Sequence, residues 1–139
     1  MPWPWVKPKP KEYKITGNSL MYEFYRLGFT DVLLNDNSYW YVGVQDWITI
    51  LSKTRASMPS YLVDRFDCDK YAFITAARVV LESFLNTCAV CIGDSPFGYH
   101  SWNIVMTPVG LYYFEPQNGN FWLVQGGTAP YKPDRIITI

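Results

Sequence analysis

The stretch that decides the fold runs from residue 67 to residue 85 and reads DCDKYAFITAARVVLESFL. Its apolar residues recur at helical spacing, and Asp67 is a residue type that caps the first turn of a helix. The small side chains of Ala76 and Ala77 allow close packing at its middle. We therefore expect the central helix of the protein here, packed against a sheet.

The segments on either side of this helix differ in their patterns. Upstream, the spacing predicts a helix over Leu20–Leu27 capped by Ser19, a hairpin over Asp31–Gly43 and a helix over Asp46–Lys53. Downstream of Asn86, short apolar runs with period two predict strands. They lie at residues 88–92, 100–106, 111–115, 121–124 and 135–139. Helices followed by strands at hairpin distance predict an α+β fold with an antiparallel sheet.

Length and composition restrict the class of protein. The 139 residues suit one domain, predicted over residues 15–139 and preceded by an extended arm rich in Pro, Trp and Lys at residues 1–14. The formal net charge of zero argues against a nucleic-acid-binding protein. No secretory signal or run of about 18 apolar residues is visible, so we predict no membrane partner and a cytoplasmic location. The oligomeric state cannot be predicted from these patterns.

Three residues form a candidate catalytic set. Cys68 stands at the first turn of the central helix, where the helix dipole favours a thiolate. His100, the only histidine, begins one predicted strand, and Glu115 ends the next. The order suits a nucleophile, its base and a group that orients the base. The alternative is that Cys68 is an inert apolar residue, His100 an aromatic side chain with its polar groups satisfied, and Glu115 a solvated charge at the end of a strand.

Three further residues carry oxygen atoms of the kind that Ca²⁺ prefers. Asp67 and Asp69 offer carboxylates beside the thiol, and Gln117 offers an amide carbonyl. The alternative is that the two aspartates are solvated charges at the start of a helix. Two other cysteines, Cys88 and Cys91, lie in an apolar strand and are expected to be buried and structural.

The motifs Asp67-Cys68-Asp69, His100-Ser101-Trp102-Asn103 and Glu115-Pro116-Gln117 together resemble the C-terminal protease domain of the mushroom agglutinin family. The resemblance covers about residues 39–123. It implies a papain-like fold with Cys68 as nucleophile, His100 as general base and acid, and Glu115 as the orienting group. It also implies calcium dependence. The lectin portion of the agglutinins has no counterpart here, so the resemblance implies no sugar binding.

These observations predict a cysteine hydrolase, foremost a peptidase acting on peptide or protein substrates. The Cys68 thiolate would attack an amide carbonyl after giving its proton to His100, which would then protonate the leaving amine. The backbone amide of Cys68 is the expected oxyanion donor, with Gln45 as a second candidate. Two alternatives remain open. One is a transglutaminase-like acyl transferase, and the other is a non-catalytic binding or assembly module on the same fold.

Overall fold

The computed structural model describes residues 9–125 and 130–139. It contains three helices and eight strands in this part of the chain. The helices are α1 (Gly17–Tyr25), α2 (Val44–Ala56) and α3 (Cys68–Ser83). The strands are β1 (Glu12–Thr16), β2 (Val32–Leu33), β3 (Ser38–Val42), β4 (Ala89–Ser95), β5 (Gly98–Thr107), β6 (Gly110–Phe114), β7 (Phe121–Leu123) and β8 (Lys132–Ile137). None of the described helices is long and apolar enough to cross a bilayer.

The predicted α+β fold is confirmed. Six strands form one sheet in the order β2-β8-β4-β5-β6-β7, and β1 pairs with β3 in a separate ribbon. All pairs in the large sheet are antiparallel except β2 with β8, which is parallel, so the sheet is mixed. The predicted central helix is also confirmed, since α3 packs against β4 and β5.

The end of the predicted arm forms a strand, and the predicted hairpin contains two strands that do not pair with each other. Residues 1–8 of the predicted arm lie outside the described residues, and its end, from Glu12, is part of β1. The hairpin predicted over Asp31–Gly43 is wrong, because its two strands belong to different sheets. Asn35, between these two strands, instead donates its backbone amide to the Thr138 hydroxyl at the other end of the chain.

Two cores lie on opposite faces of the large sheet, and β5 contributes to both. Trp102 and Ile104 pack with α1 in the first core. Val105, the next residue along the strand, packs with α2 and α3 in the second. Asn103 shares that second face, since its amide donates to the carbonyl oxygen of Ala72 in α3 at 2.9 Å. Alternation along a strand therefore decides which face each candidate residue occupies.

Candidate functional site

His100 and Glu115 meet in a buried pair. The strands β5 and β6 run antiparallel through a short turn, and Glu115 follows directly after β6. His100 Nε2 lies 2.7 Å from Glu115 Oε2. The two residues are 5% and 0% exposed, so both polar groups are removed from solvent and satisfy one another. This cross-strand contact follows from the sequence order of the two residues.

Cys68 has no hydrogen bond to this pair in the described part of the chain. It begins α3 and is half-buried, as expected for the first residue of the helix. His100, however, shares the sheet face of Trp102, on which its ring stacks with centroids 6.1 Å apart. The body of α3 packs on the other face, where Asn103 points. The structure thus brings two of the three predicted catalytic residues together.

The two aspartates beside Cys68 contact a lysine. Lys70 Nζ lies 3.4 Å from Asp67 Oδ1 and 3.3 Å from Asp69 Oδ2. The hydrogen bond to Asp69, followed by that to Lys70, lowers the pKa of the Asp67 carboxyl. Asp67 also occupies the predicted N-cap position, but its Oδ2 accepts from the backbone amide of Asp64 instead of from the helix.

Among the described residues, the backbone of Gln117 forms hydrogen bonds with Glu115 and Arg55 and with neither aspartate beside Cys68. Its amide donates to Glu115 Oε1, and its carbonyl oxygen accepts from Arg55. No hydrogen bond in the described part of the chain joins Gln117 to either aspartate. Nor do the His, Cys, Asp and Glu residues of that part include a group of three placed to hold a metal ion. The prediction of a metal-binding protein is therefore corrected, and calcium itself stays a prediction that a thermal-shift titration with Ca²⁺ can test.

Aromatic rings surround the His100–Glu115 pair on the first-core side. Tyr131 directly precedes β8, and its ring contacts three of the other aromatic rings. Its centroid lies 5.0 Å from Trp102, 5.0 Å from Trp122 and 6.0 Å from Tyr113. The Tyr131 hydroxyl donates to Glu115 Oε2 at 3.4 Å. Trp102 is fully buried in the core, and Trp122 is half-buried.

A surface cavity of about 420 Å³ opens beside these rings. Its lining consists of Leu27, Gly28, Phe29, Tyr113, Gln125, Tyr131, Lys132 and Pro133. Burial, followed by the Glu115 carboxylate, raises the pKa of the Tyr131 phenol to about 12, so this hydroxyl stays a donor at neutral pH. Sequence reasoning missed the cavity. The only available signal was the density of aromatic residues, which does not say which rings converge.

No family model matches the sequence, and no curated protein matches it. Several solved structures have a similar fold, and they include the following two. A structure titled "PSL1a-E64 complex" superposes with a TM-score of 0.74 at 18% identity, over 89% of this chain and 50% of the other. Polyporus squamosus lectin bound to the human-type influenza-binding epitope Neu5Acα2-6Galβ1-4GlcNAc superposes with a TM-score of 0.62 at 21% identity, over 78% of this chain and 44% of the other. The chain thus spans about half the length of these structures.

These comparisons correct the functional predictions made from the motifs. One of the similar structures is that of a lectin bound to a saccharide epitope, which contradicts the assignment to a papain-like cysteine protease family. The predictions of a cysteine peptidase, of an enzyme and of a hydrolase with a peptide substrate are contradicted with it. Within residues 9–125 and 130–139, no hydrogen bond joins Cys68 to His100, which agrees with this correction. The roles assigned to Cys68, His100 and Glu115 individually stay predictions.

Proposed function

We propose that the chain is a non-catalytic carbohydrate-binding module. The sequence left open a non-catalytic binding or assembly module, and the proposal adds the class of ligand. The observation that carries the proposal is the cavity walled by Phe29, Tyr113 and Tyr131. Its volume of about 420 Å³ falls within the roughly 300–1,000 Å³ typical of small-molecule sites. The fold shared with the structure of a lectin supports the same class of ligand.

The composition of the lining suits a saccharide. A sugar ring presents C–H groups on its faces and hydroxyl groups around its edge. Aromatic rings such as Phe29 and Tyr131 can pack against the apolar faces, while the ammonium group of Lys132 in the lining can donate to hydroxyls. Tyr131 is already packed between Trp102 and Trp122, so little side-chain freedom is lost on binding.

The experiment is a glycan-array screen of the intact chain followed by isothermal titration calorimetry. The first probe is the trisaccharide Neu5Acα2-6Galβ1-4GlcNAc, and the second is its neutral part, Galβ1-4GlcNAc. We expect a saturable complex with at least one arrayed saccharide. Tyr131→Ala should weaken it at least about tenfold, which corresponds to about 1.4 kcal/mol.

The matched control is Tyr61→Ala. Tyr61 is 51% exposed in the loop before α3 and does not line the cavity. This variant should bind with the affinity of the parent. Failure of the parent to bind any arrayed saccharide would overturn the proposal, as would equal losses of affinity in the two variants.

A further inference from the structure

We propose that Glu115 and Arg55 are positioning residues of the cavity, although neither lines it. In this arrangement Arg55 holds the loop that follows β6, this loop holds the Glu115 carboxylate, and the carboxylate holds the Tyr131 ring in the cavity wall. The inference rests on the proposed function, because it assigns these residues a part in ligand binding. Each link is a hydrogen bond between described residues.

The first link joins Glu115 to the cavity wall. Glu115 is 0% exposed, and both of its carboxylate oxygens are occupied. Oε2 accepts from the Tyr131 hydroxyl at 3.4 Å and contacts His100 Nε2 at 2.7 Å, while Oε1 accepts from the Gln117 amide at 3.2 Å. A buried carboxylate keeps its partners because an unpaired one is very unfavourable. The position of the Tyr131 hydroxyl is therefore set by the carboxylate.

The second link joins Glu115 to the loop over residues 115–120. The Glu115 amide donates to the carbonyl oxygen of Asn120 at 2.9 Å, and its own carbonyl oxygen accepts from Gly119 at 2.7 Å. Gly119 has a φ of +83°, a conformation that suits glycine. The loop is thus a closed turn, and a shift of its backbone moves the Glu115 carboxylate.

The third link joins the loop to α2 through Arg55. Arg55 Nε donates to the carbonyl oxygen of Pro116 at 3.2 Å, and Nη2 donates to that of Gln117 at 3.0 Å. The fixed fork of the guanidinium group holds both carbonyls at once, which a lysine cannot do in the same way. The helix α2 belongs to the second core, whereas Tyr113 and Tyr131 belong to the first. Among the described residues, the hydrogen bonds of Arg55 to the loop therefore form its connection to the cavity wall.

The experiment measures saccharide affinity in four variants by calorimetry, with the tightest saccharide from the array as the probe. Tyr131→Phe keeps the ring but removes the hydroxyl, and we expect a loss of about fivefold. Glu115→Gln should give a similar loss, and combining it with Tyr131→Phe should add little, because both act through one hydrogen bond. Arg55→Met should weaken binding about threefold. Lys53→Met, in the same last turn of α2, is the matched control and should leave the affinity unchanged.

A second readout separates positioning from general stability. The ring resonances of Tyr131 in tyrosine-labelled protein should shift in Arg55→Met and Glu115→Gln and stay in place in Lys53→Met. The single imidazole of His100 gives an independent signal that Glu115→Gln should move. If the melting temperature falls while affinities and Tyr131 resonances match the parent, the residues are only structural and the inference is overturned.

The two proposals fail in distinguishable ways. A parent protein that binds no saccharide removes the proposed function. The ring resonances still decide whether Arg55 and Glu115 fix Tyr131, and unchanged resonances would overturn that placement by themselves. If the parent binds a saccharide and both Arg55→Met and Glu115→Gln bind it within twofold of the parent's affinity, the inference about positioning is overturned. The proposed function then still stands.

Discussion

The three cysteine thiols differ in how far they are removed from solvent. Cys88 and Cys91 are 1% and 0% exposed, and burial raises the pKa of the Cys88 thiol to about 12 and that of Cys91 well above its ordinary value. Cys68 is half-buried at the start of α3. Because alkylation requires access and a thiolate, iodoacetamide at about pH 8 should modify Cys68 alone in the native protein and all three thiols in urea. Peptide mass spectrometry counts the modified sites.

The same assay tests whether Cys68 and His100 act together. No hydrogen bond joins them in the described residues, so His100→Gln should leave the labelling rate of Cys68 unchanged. Glutamine keeps a donor near Glu115 and limits the loss of stability. Cys68→Ser should abolish native labelling. A strong fall in the rate for His100→Gln would show that the imidazole activates the thiol and would contradict this arrangement.

At the scale of single residues, the sequence predicts contacts between near neighbours and misses distant ones. His100 and Glu115 flank one antiparallel turn, so strand pairing alone places them together. Tyr131 directly precedes β8 and reaches Glu115 from the other side of β4. Arg55 reaches the loop after Glu115 from a helix about 60 positions earlier. Nothing in the local pattern of either residue indicates such a partner. The face of the sheet on which α3 packs likewise depends on the order of all its strands, which no local pattern gives.

At the scale of elements, β4 has an irregularity that depends on a glycine. The register between β4 and β8 shifts between Ile92 and Gly93. A Cβ at Gly93 would lie 2.2 Å from the carbonyl oxygen of Lys132 and 2.7 Å from the amide of Asp134, both backbone atoms. Gly93→Ala should therefore force the strands apart and destabilise the protein by about 2–3 kcal/mol in urea denaturation.

Gly43→Ala is the control for this substitution. Gly43 precedes α2 with a φ of −68°, and no atom lies within 4 Å of an added Cβ. Its stability should change by no more than about 0.5 kcal/mol. Equal effects at the two glycines would show that the close approach of β8 to Gly93 is not a stability determinant.

The end of α3 offers a prediction of opposite sign. Phe84 is the C-cap residue in the left-handed conformation, with φ 56° and ψ 30°, and is 80% exposed. Glycine adopts this conformation without strain, so Phe84→Gly should stabilise the protein by up to about 1 kcal/mol. Leu81→Gly, at an exposed position inside the helix, should destabilise it by about 1 kcal/mol. A less stable Phe84→Gly protein would show that ring contacts beside Pro10 and Ile50 outweigh the strain.

The hairpin predicted over Asp31–Gly43 shows what period-two patterns leave undetermined. The alternation correctly indicates strands, since β2 and β3 both form. It does not identify their partners, and β2 pairs with β8 while β3 pairs with β1. The Tyr39 hydroxyl interacts with the Thr138 hydroxyl and accepts from the Asp36 amide. These bonds tie the connecting segment to the C-terminal end of the chain, which local spacing cannot predict.

At the scale of the whole molecule, two cores share one sheet. Eight consecutive residues of β5, from His100 to Thr107, are buried, because one face of the strand meets α1 and the other meets α2 and α3. Covering both faces of a sheet requires much apolar area from a short chain. The hydrophobic fraction of 49% and the aromatic fraction of 18% supply it. Composition therefore predicts the existence of a large core, while its division into two emerges only from the topology.

Because protonated groups are buried in these cores, the stability of the folded protein changes with pH in the alkaline range. Burial raises the pKa of Cys88 from 9.0 to about 12 and, with Glu115 as a lesser cause, that of Tyr131 from 10.0 to about 12. The folded state thus keeps protons that the unfolded chain releases. This contribution is complete below about pH 9 and is lost as the pH rises towards 12. The urea midpoint should therefore be constant from about pH 7 to 8.5 and fall steadily above that range.

Two variants assign the alkaline loss of stability to its sources. Cys88→Ala should make the fall shallower from about pH 9 upward, because the Cys88 thiol titrates there in the unfolded state. The part of the fall that remains from about pH 9 belongs to Cys91, whose pKa is also raised by burial. Tyr131→Phe should flatten it only above about pH 10, since the phenol titrates later in the unfolded chain. Each variant is compared with itself at about pH 7, so any packing defect cancels. A midpoint that stays level or rises between about pH 9 and 11 would contradict the burial of these groups in their protonated forms.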